Sequence, residues 1–106
     1  MITYEDFTKL ELRSGKILEA ALHPDADKLL VLKVDLGDKQ VQLVAGIKLY
    51  YQPETLVGRN AVILVNLAPK QLRGVESQGM LLAAHDETGI KMLTIDGEIK
   101  PGSVIK

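Results

Sequence analysis

The chain has 106 residues, 46% of them hydrophobic and 25% charged, with a net charge of −1 and no cysteine. That size admits one globular domain, residues 1–106, with a modest core, and leaves no room for a second. The composition excludes a disulfide scaffold, a thiolate site and the strongly basic balance of a dedicated DNA-binding domain.

The first seven residues include Glu5 and Asp6 and have no uninterrupted apolar run, so they do not read as a secretory signal. No later stretch has the length of a membrane span. The expectation is a soluble cytoplasmic protein without a membrane partner. Thr3 is placed to cap a short helix, with Asp6 completing an approximate capping box and Phe7 and Leu10 on one face. From Leu12 the pattern turns to β, and Gly15 to Ala21 reads as a first strand. Leu30, Leu32, Val34 and Leu36 alternate in a second strand, Gly37-Asp38 turns the chain, and Val41, Leu43 and Ala45 continue in a third. Pro53 to Gly58 has proline where a first helical turn tolerates it and glycine where a helix stops, which predicts one short helix. Asn60 to Val65 is a fourth strand and Met80 to Ala84 a fifth. Residues 90–106 contain two further short alternating runs, at Met92 to Ile95 and at Val104-Ile105, which predict two extra strands.

Five strands with a short helix between the third and fourth is the order of an all-β OB-fold barrel, here with an N-terminal helix and C-terminal strand extensions. Such barrels bind oligonucleotides on the face of strands 2 and 3 and with the loops joining strands 1 to 2 and 4 to 5. In this chain those loops are His23 to Lys28 and the stretch Asn66 to Met80, the two most motif-like segments present. The charge distribution agrees: residues 1–38 sum to −3, residues 39–80 to +3 and residues 81–106 to −1. Pro69, Gly74 and Gly79 shape the second segment as a loop rather than a strand or helix. Within it Lys70, Arg73, Ser77 and the Gln78 amide offer hydrogen-bond donors suited to phosphate and sugar. A solvated connecting loop with ordinary lysines accounts for the same residues.

No catalytic constellation is visible, so the chain does not read as an enzyme: His23 and His85 are far apart in sequence, and neither lies in a motif with an activated nucleophile. His23, Asp25 and Asp27 lack the dense ligand spacing of metal sites and read as a turn. Isolated glycines without Gly-x-Gly-x-x-Gly or Gly-Lys-Ser/Thr exclude a nucleotide-cofactor loop, and no cofactor is expected. One Phe, three Tyr and no Trp make a poor stacking platform for single strands. Tyr50 and Tyr51 lie near the presumed face, or else pack over the barrel mouth beside the short helix. A folded RNA, held through backbone and 2′-hydroxyls, needs fewer aromatics. The terminal extensions either close a barrel edge or pair two chains about a twofold axis, and the hazard of an open apolar edge favours the dimer.

Six segments together resemble one family. They are Asp6-Phe7-x-Lys9-Leu10-x-Leu12-Arg13-x-Gly15, His23-Pro24-x-Ala26-Asp27-Lys28-Leu29, Val34-Asp35-Leu36-Gly37, Ala45-Gly46-Ile47, Tyr50-Tyr51, and Asn66-Leu67-x-Pro69-Lys70-x-Leu72-Arg73-Gly74-x-x-Ser77-x-Gly79-Met80. They resemble the tRNA-binding domain found at the C-terminus of methionyl-tRNA synthetase or as its separate β subunit, in small free-standing tRNA-binding proteins, and in eukaryotic synthetase cofactors. The resemblance implies a homodimeric OB fold that binds tRNA by shape, as an accessory to a synthetase catalytic chain or alone. It also implies Lys28, Ser77 and Met80 as RNA-contact positions and Lys70 and Arg73 as phosphate contacts, with Asn66 and Gln78 as further candidates. Methionine is unusual chemistry for RNA, and a core-facing strand residue is the alternative for Met80. The competing function is a chaperone-like or protein-interaction dimer of the same fold.

Overall fold

The computed structural model describes residues Met1–Lys106. Its elements, in chain order, are helix α1 (Tyr4–Phe7), strands β1 (Leu12–Leu22), β2 (Leu30–Asp35) and β3 (Gln40–Ala45), helix α2 (Pro53–Leu56), and strands β4 (Asn60–Leu64), β5 (Lys70–Leu72), β6 (Val75–Ser77), β7 (Met80–Leu81), β8 (Ala83–Asp86) and β9 (Gly89–Met92). The main sheet is antiparallel with strand order β3-β2-β1-β4-β7. Strand β1 is the longest at 11 residues, and it bends because Leu18 is an extra residue in its register against β2. That bend lets one strand pair with β4 through Leu12 to Lys16 and with β2 through Lys16 to Leu22.

The alternating residues of β2 fill the interior: Leu30, Leu32 and Val34 are fully buried, with Ile17, Leu43, Ala61 and Ile63 around them. Leu56 makes α2 a plug for this core; the helix is only one turn long, but Leu56 is completely buried. Burying one such leucine is worth about 1.5–3 kcal/mol, more than a single helical turn supplies by its own hydrogen bonds.

Between β3 and residues 77–79, at the end of β6, the barrel is closed by a mixture of backbone and side-chain bonds. Gln78 N–H donates to the Gln42 carbonyl at 2.8 Å, and Gln78 Oε1 accepts from Gln42 N–H at 2.8 Å. The buried Ser77 hydroxyl accepts from Val44 N–H at 3.0 Å and donates to the Gly79 carbonyl at 3.0 Å. These bonds satisfy backbone groups that an edge strand would otherwise leave open.

Three expectations need correction. Residues 70–77 form a two-residue β-hairpin, β5 to β6, rather than an irregular loop. Its turn residues Arg73 and Gly74 have φ of 55° and 87°, the primed turn that matches strand twist. The predicted fifth strand is broken at Leu82, whose N–H still bonds Val62 while its carbonyl accepts from Leu93. There the chain leaves β4 and folds into the β8 to β9 hairpin. The C-terminal tail holds no second strand, only one bridge, Arg13 with Val104, alongside the N-terminal half of β1. Pro101-Gly102 sets its path: a Cβ on Gly102 would lie 2.1 Å from the Leu36 carbonyl oxygen, so two turns meet with no room for a side chain.

Candidate nucleic-acid interface

The two loops singled out by sequence meet at one end of the barrel, and a histidine joins them. His23 is buried; its Nδ1 accepts from Asp25 N–H at 3.0 Å, which leaves Nε2 to carry the proton and donate to the Leu72 carbonyl at 3.0 Å. Arg73 Nη2 adds a second tie, to the Asp25 carbonyl at 3.2 Å. The first loop is therefore clamped to the β5 to β6 hairpin from both sides of its proline bend. With both ring nitrogens spent on backbone groups, His23 has no lone pair for a metal, and no cluster of three His, Cys, Asp or Glu residues exists.

Lys28, Lys70 and Arg73 are exposed, and no carboxylate lies within ion-pair distance of them. The chain's two ion pairs, Lys9 with Asp6 and Arg13 with Glu11, lie elsewhere. These cations are free to meet an anionic partner, while Asp25, Asp27 and Glu76 on the same two loops offset their net charge at longer range. Arg73 holds its place at backbone cost, since a left-handed conformation is unfavourable for a residue with a Cβ and favours glycine or asparagine. Lys48 belongs to the same neighbourhood through its N–H bond to the Lys28 carbonyl at 3.3 Å. Sequence reasoning passed over Lys48; the only signal for it was its position inside the positively charged middle segment.

The other predicted site residues sit differently. Ser77 is 5% exposed and its hydroxyl is engaged both as donor and as acceptor, so it offers no free donor at the surface. The Gln78 amide is bound to Gln42 N–H and to Glu76 Oε1. The Asn66 amide accepts from Glu11 N–H at 2.9 Å and donates to the Lys9 carbonyl at 2.8 Å, pinning the N-terminal segment to the end of β4. All three polar side chains brace the surface, Ser77 from beneath and Asn66 and Gln78 at the surface, because each serves a backbone group that the barrel leaves unpaired. Met80 is 45% exposed on β7, so its side chain is not a core residue. Tyr50 and Tyr51 serve the fold: the Tyr51 hydroxyl accepts from Met92 N–H at 2.9 Å, and the Tyr50 ring occupies the space beside Gly89.

This architecture defines a five-stranded, nearly closed OB barrel with a corner of unpaired cations built from two clamped loops. Residues 12–104 match the family described as "Putative tRNA binding domain", and the chain belongs to that family. It is 56% identical over 105 residues to the methionine–tRNA ligase of Thermococcus kodakarensis and 51% identical over 104 residues to that of Thermotoga maritima. The chain is nearly covered in both alignments, at 99% and 98%, but spans only 14% and 16% of those relatives. Among solved structures, a MetRS-related protein from Pyrococcus horikoshii superposes with a TM-score of 0.94 at 33% identity, covering 100% of this chain and 98% of that one. A CsaA chaperone protein from Picrophilus torridus superposes at 0.92 with 34% identity and full coverage of both chains.

Proposed function

We propose that this chain is a non-catalytic module that binds folded tRNA by backbone shape and charge, without reading its sequence. In this reading residues 1–106 act as one domain in the cytoplasm, as the C-terminal domain or β subunit of a methionyl-tRNA synthetase or as a free-standing tRNA-binding protein. Lys28, Lys70 and Arg73 contact phosphates and Met80 contacts the RNA directly, while Asn66, Ser77 and Gln78 hold the surface in shape. The observation that carries the proposal is the clamp of His23 and Arg73, which unites the two loops and leaves their cations unpaired. Family membership gives that cationic corner its polynucleotide partner. Exposed apolar side chains on the terminal extensions, at Ile2, Tyr4 and Val104, support a homodimer.

Titration of intact tRNA, unfolded tRNA and duplex DNA at several salt concentrations tests the reading. Three phosphate contacts per chain give a logarithmic salt slope of about −2 to −3. The double substitution K70E/R73E is expected to abolish binding at physiological salt while leaving the melting temperature near that of the parent. Equal affinity for all three nucleic acids contradicts shape recognition. The second reading, a chaperone-like or protein-interaction dimer, draws on the similarity to a CsaA chaperone protein and on an apolar surface beside Met80. It predicts that peptides bind and that K70E/R73E leaves their binding intact.

A further inference from the structure

Met80 borders two depressions on the surface next to the cationic corner. One, of about 300 Å³, is walled mainly by Val44, Leu67, Leu72 and Met80, with Lys70 among its lining residues. The other, of about 280 Å³, lies against Ile47, Leu81 and Ile90 and shares Val44 and Met80 with the first. The first is at the lower limit of the ~300–1,000 Å³ typical of small-molecule sites, a size suited to one planar ring system. Of its two polar side chains, Ser77 is buried with its hydroxyl engaged by Val44 N–H and the Gly79 carbonyl, which leaves Lys70 as the one polar side chain available to a ligand.

We propose that this groove receives one unstacked nucleobase of the bound RNA, with the Met80 thioether as its contact surface. The inference rests on the tRNA-binding reading above and adds a base subsite to it. Charge selects the occupant: Lys70 lines the groove and follows the cationic loops, which suits a base whose own phosphate needs neutralising. An apolar peptide side chain would fill the same walls and gain nothing from the lysine. Chemistry explains the methionine. Tyr51 is committed to the β8 to β9 hairpin through its hydroxyl, the Tyr50 ring packs beside Gly89 on that hairpin, and a polarisable sulfur makes favourable contact with aromatic rings. A groove with mainly apolar walls, whose lysine is taken by the phosphate, accepts any base, consistent with recognition that ignores sequence.

The test uses methyl-labelled methionine NMR, which reports Met1, Met80 and the buried Met92 separately. On adding intact tRNA, the Met80 methyl is expected to move upfield from the ring current of a stacked base, with Met92 unchanged. A fully paired RNA duplex has no unstacked base and should leave Met80 in place. M80A should weaken tRNA binding about 2- to 10-fold. M80L, which preserves volume without sulfur, should weaken it less, and melting curves of both variants should stay near the parent. If tRNA binds with the expected salt slope while the Met80 methyl stays fixed, the base subsite is refuted and tRNA binding stands. If tRNA fails to bind at all, the broader reading falls first. An apolar peptide that moves the Met80 methyl while tRNA does not would overturn the proposal in favour of a peptide groove.

Discussion

Replacing Ser77 with alanine separates a residue that builds the surface from one that touches the ligand. The hydroxyl serves two backbone groups at once, Val44 N–H and the Gly79 carbonyl, both at 3.0 Å and both in buried residues. Alanine leaves both without a partner, and each orphaned buried group costs about 1–3 kcal/mol. Water can reach part of the seam, because Gln78 and Met80 beside it are exposed. The low end of that range, about 1–1.5 kcal/mol per group, then applies, for a loss of about 2–3 kcal/mol in S77A. In a domain of this size that corresponds to a fall in melting temperature of roughly 10–20 °C. Thermal unfolding followed by circular dichroism reads the stability, and tRNA titration well below the transition reads binding by the folded fraction. The expected outcome is a large thermal shift with affinity reduced only modestly. An unchanged melting temperature together with lost tRNA affinity would refute the structural assignment and make the hydroxyl an RNA contact.

Arg73 offers the opposite signature. R73N creates the Asn-Gly pair favoured in this turn but removes the Arg73 tie to the Asp25 carbonyl, so stability should change by less than about 1 kcal/mol, while tRNA affinity falls because a phosphate contact is lost. A larger loss of stability in R73N would show that the tie to Asp25 outweighs the strain at Arg73. In G102A the new Cβ meets the Leu36 carbonyl, so the tail should detach. Hydrogen exchange should then accelerate at the Ser14 and Ile105 amides, which bond across that junction, and stay slow at Leu32 in the barrel. At the N-terminus, hydrogen bonds from Thr3 N–H, then Lys9, hold the Asp6 carboxyl below its ordinary pKa. A depressed carboxyl stabilises the fold above its unfolded pKa, and that contribution disappears as pH falls through the lower folded value. Helix α1 should therefore fray as pH falls below the ordinary aspartate range, and an NMR titration of Asp6 with an ordinary midpoint would contradict the capping box.

The apolar alternation of Leu30, Leu32 and Val34, the turn at Gly37, and the Pro53 to Gly58 helix signal are short-range patterns, so the order of the barrel elements was legible in the chain. The same holds for the identity of the two loops, since Pro24 and Pro69 fix a backbone angle and Gly74 permits a left-handed turn wherever they occur. The hairpin within residues 70–77 escaped because Arg73 takes a turn position that usually advertises itself with asparagine or glycine. The tail was read as strands because alternation cannot show whether a neighbouring edge is free to pair. Only the folded chain settled which polar groups are spent. Ser77, Gln78 and Asn66 are chemically able to grip a phosphate, and their spacing says nothing against it. It is the arrival of Val44, Gln42 and Glu11, from distant parts of the chain, that commits the Ser77 hydroxyl and the two amide oxygens to backbone groups. Residue type sets what a side chain can bind, and long-range packing decides what remains free to do so.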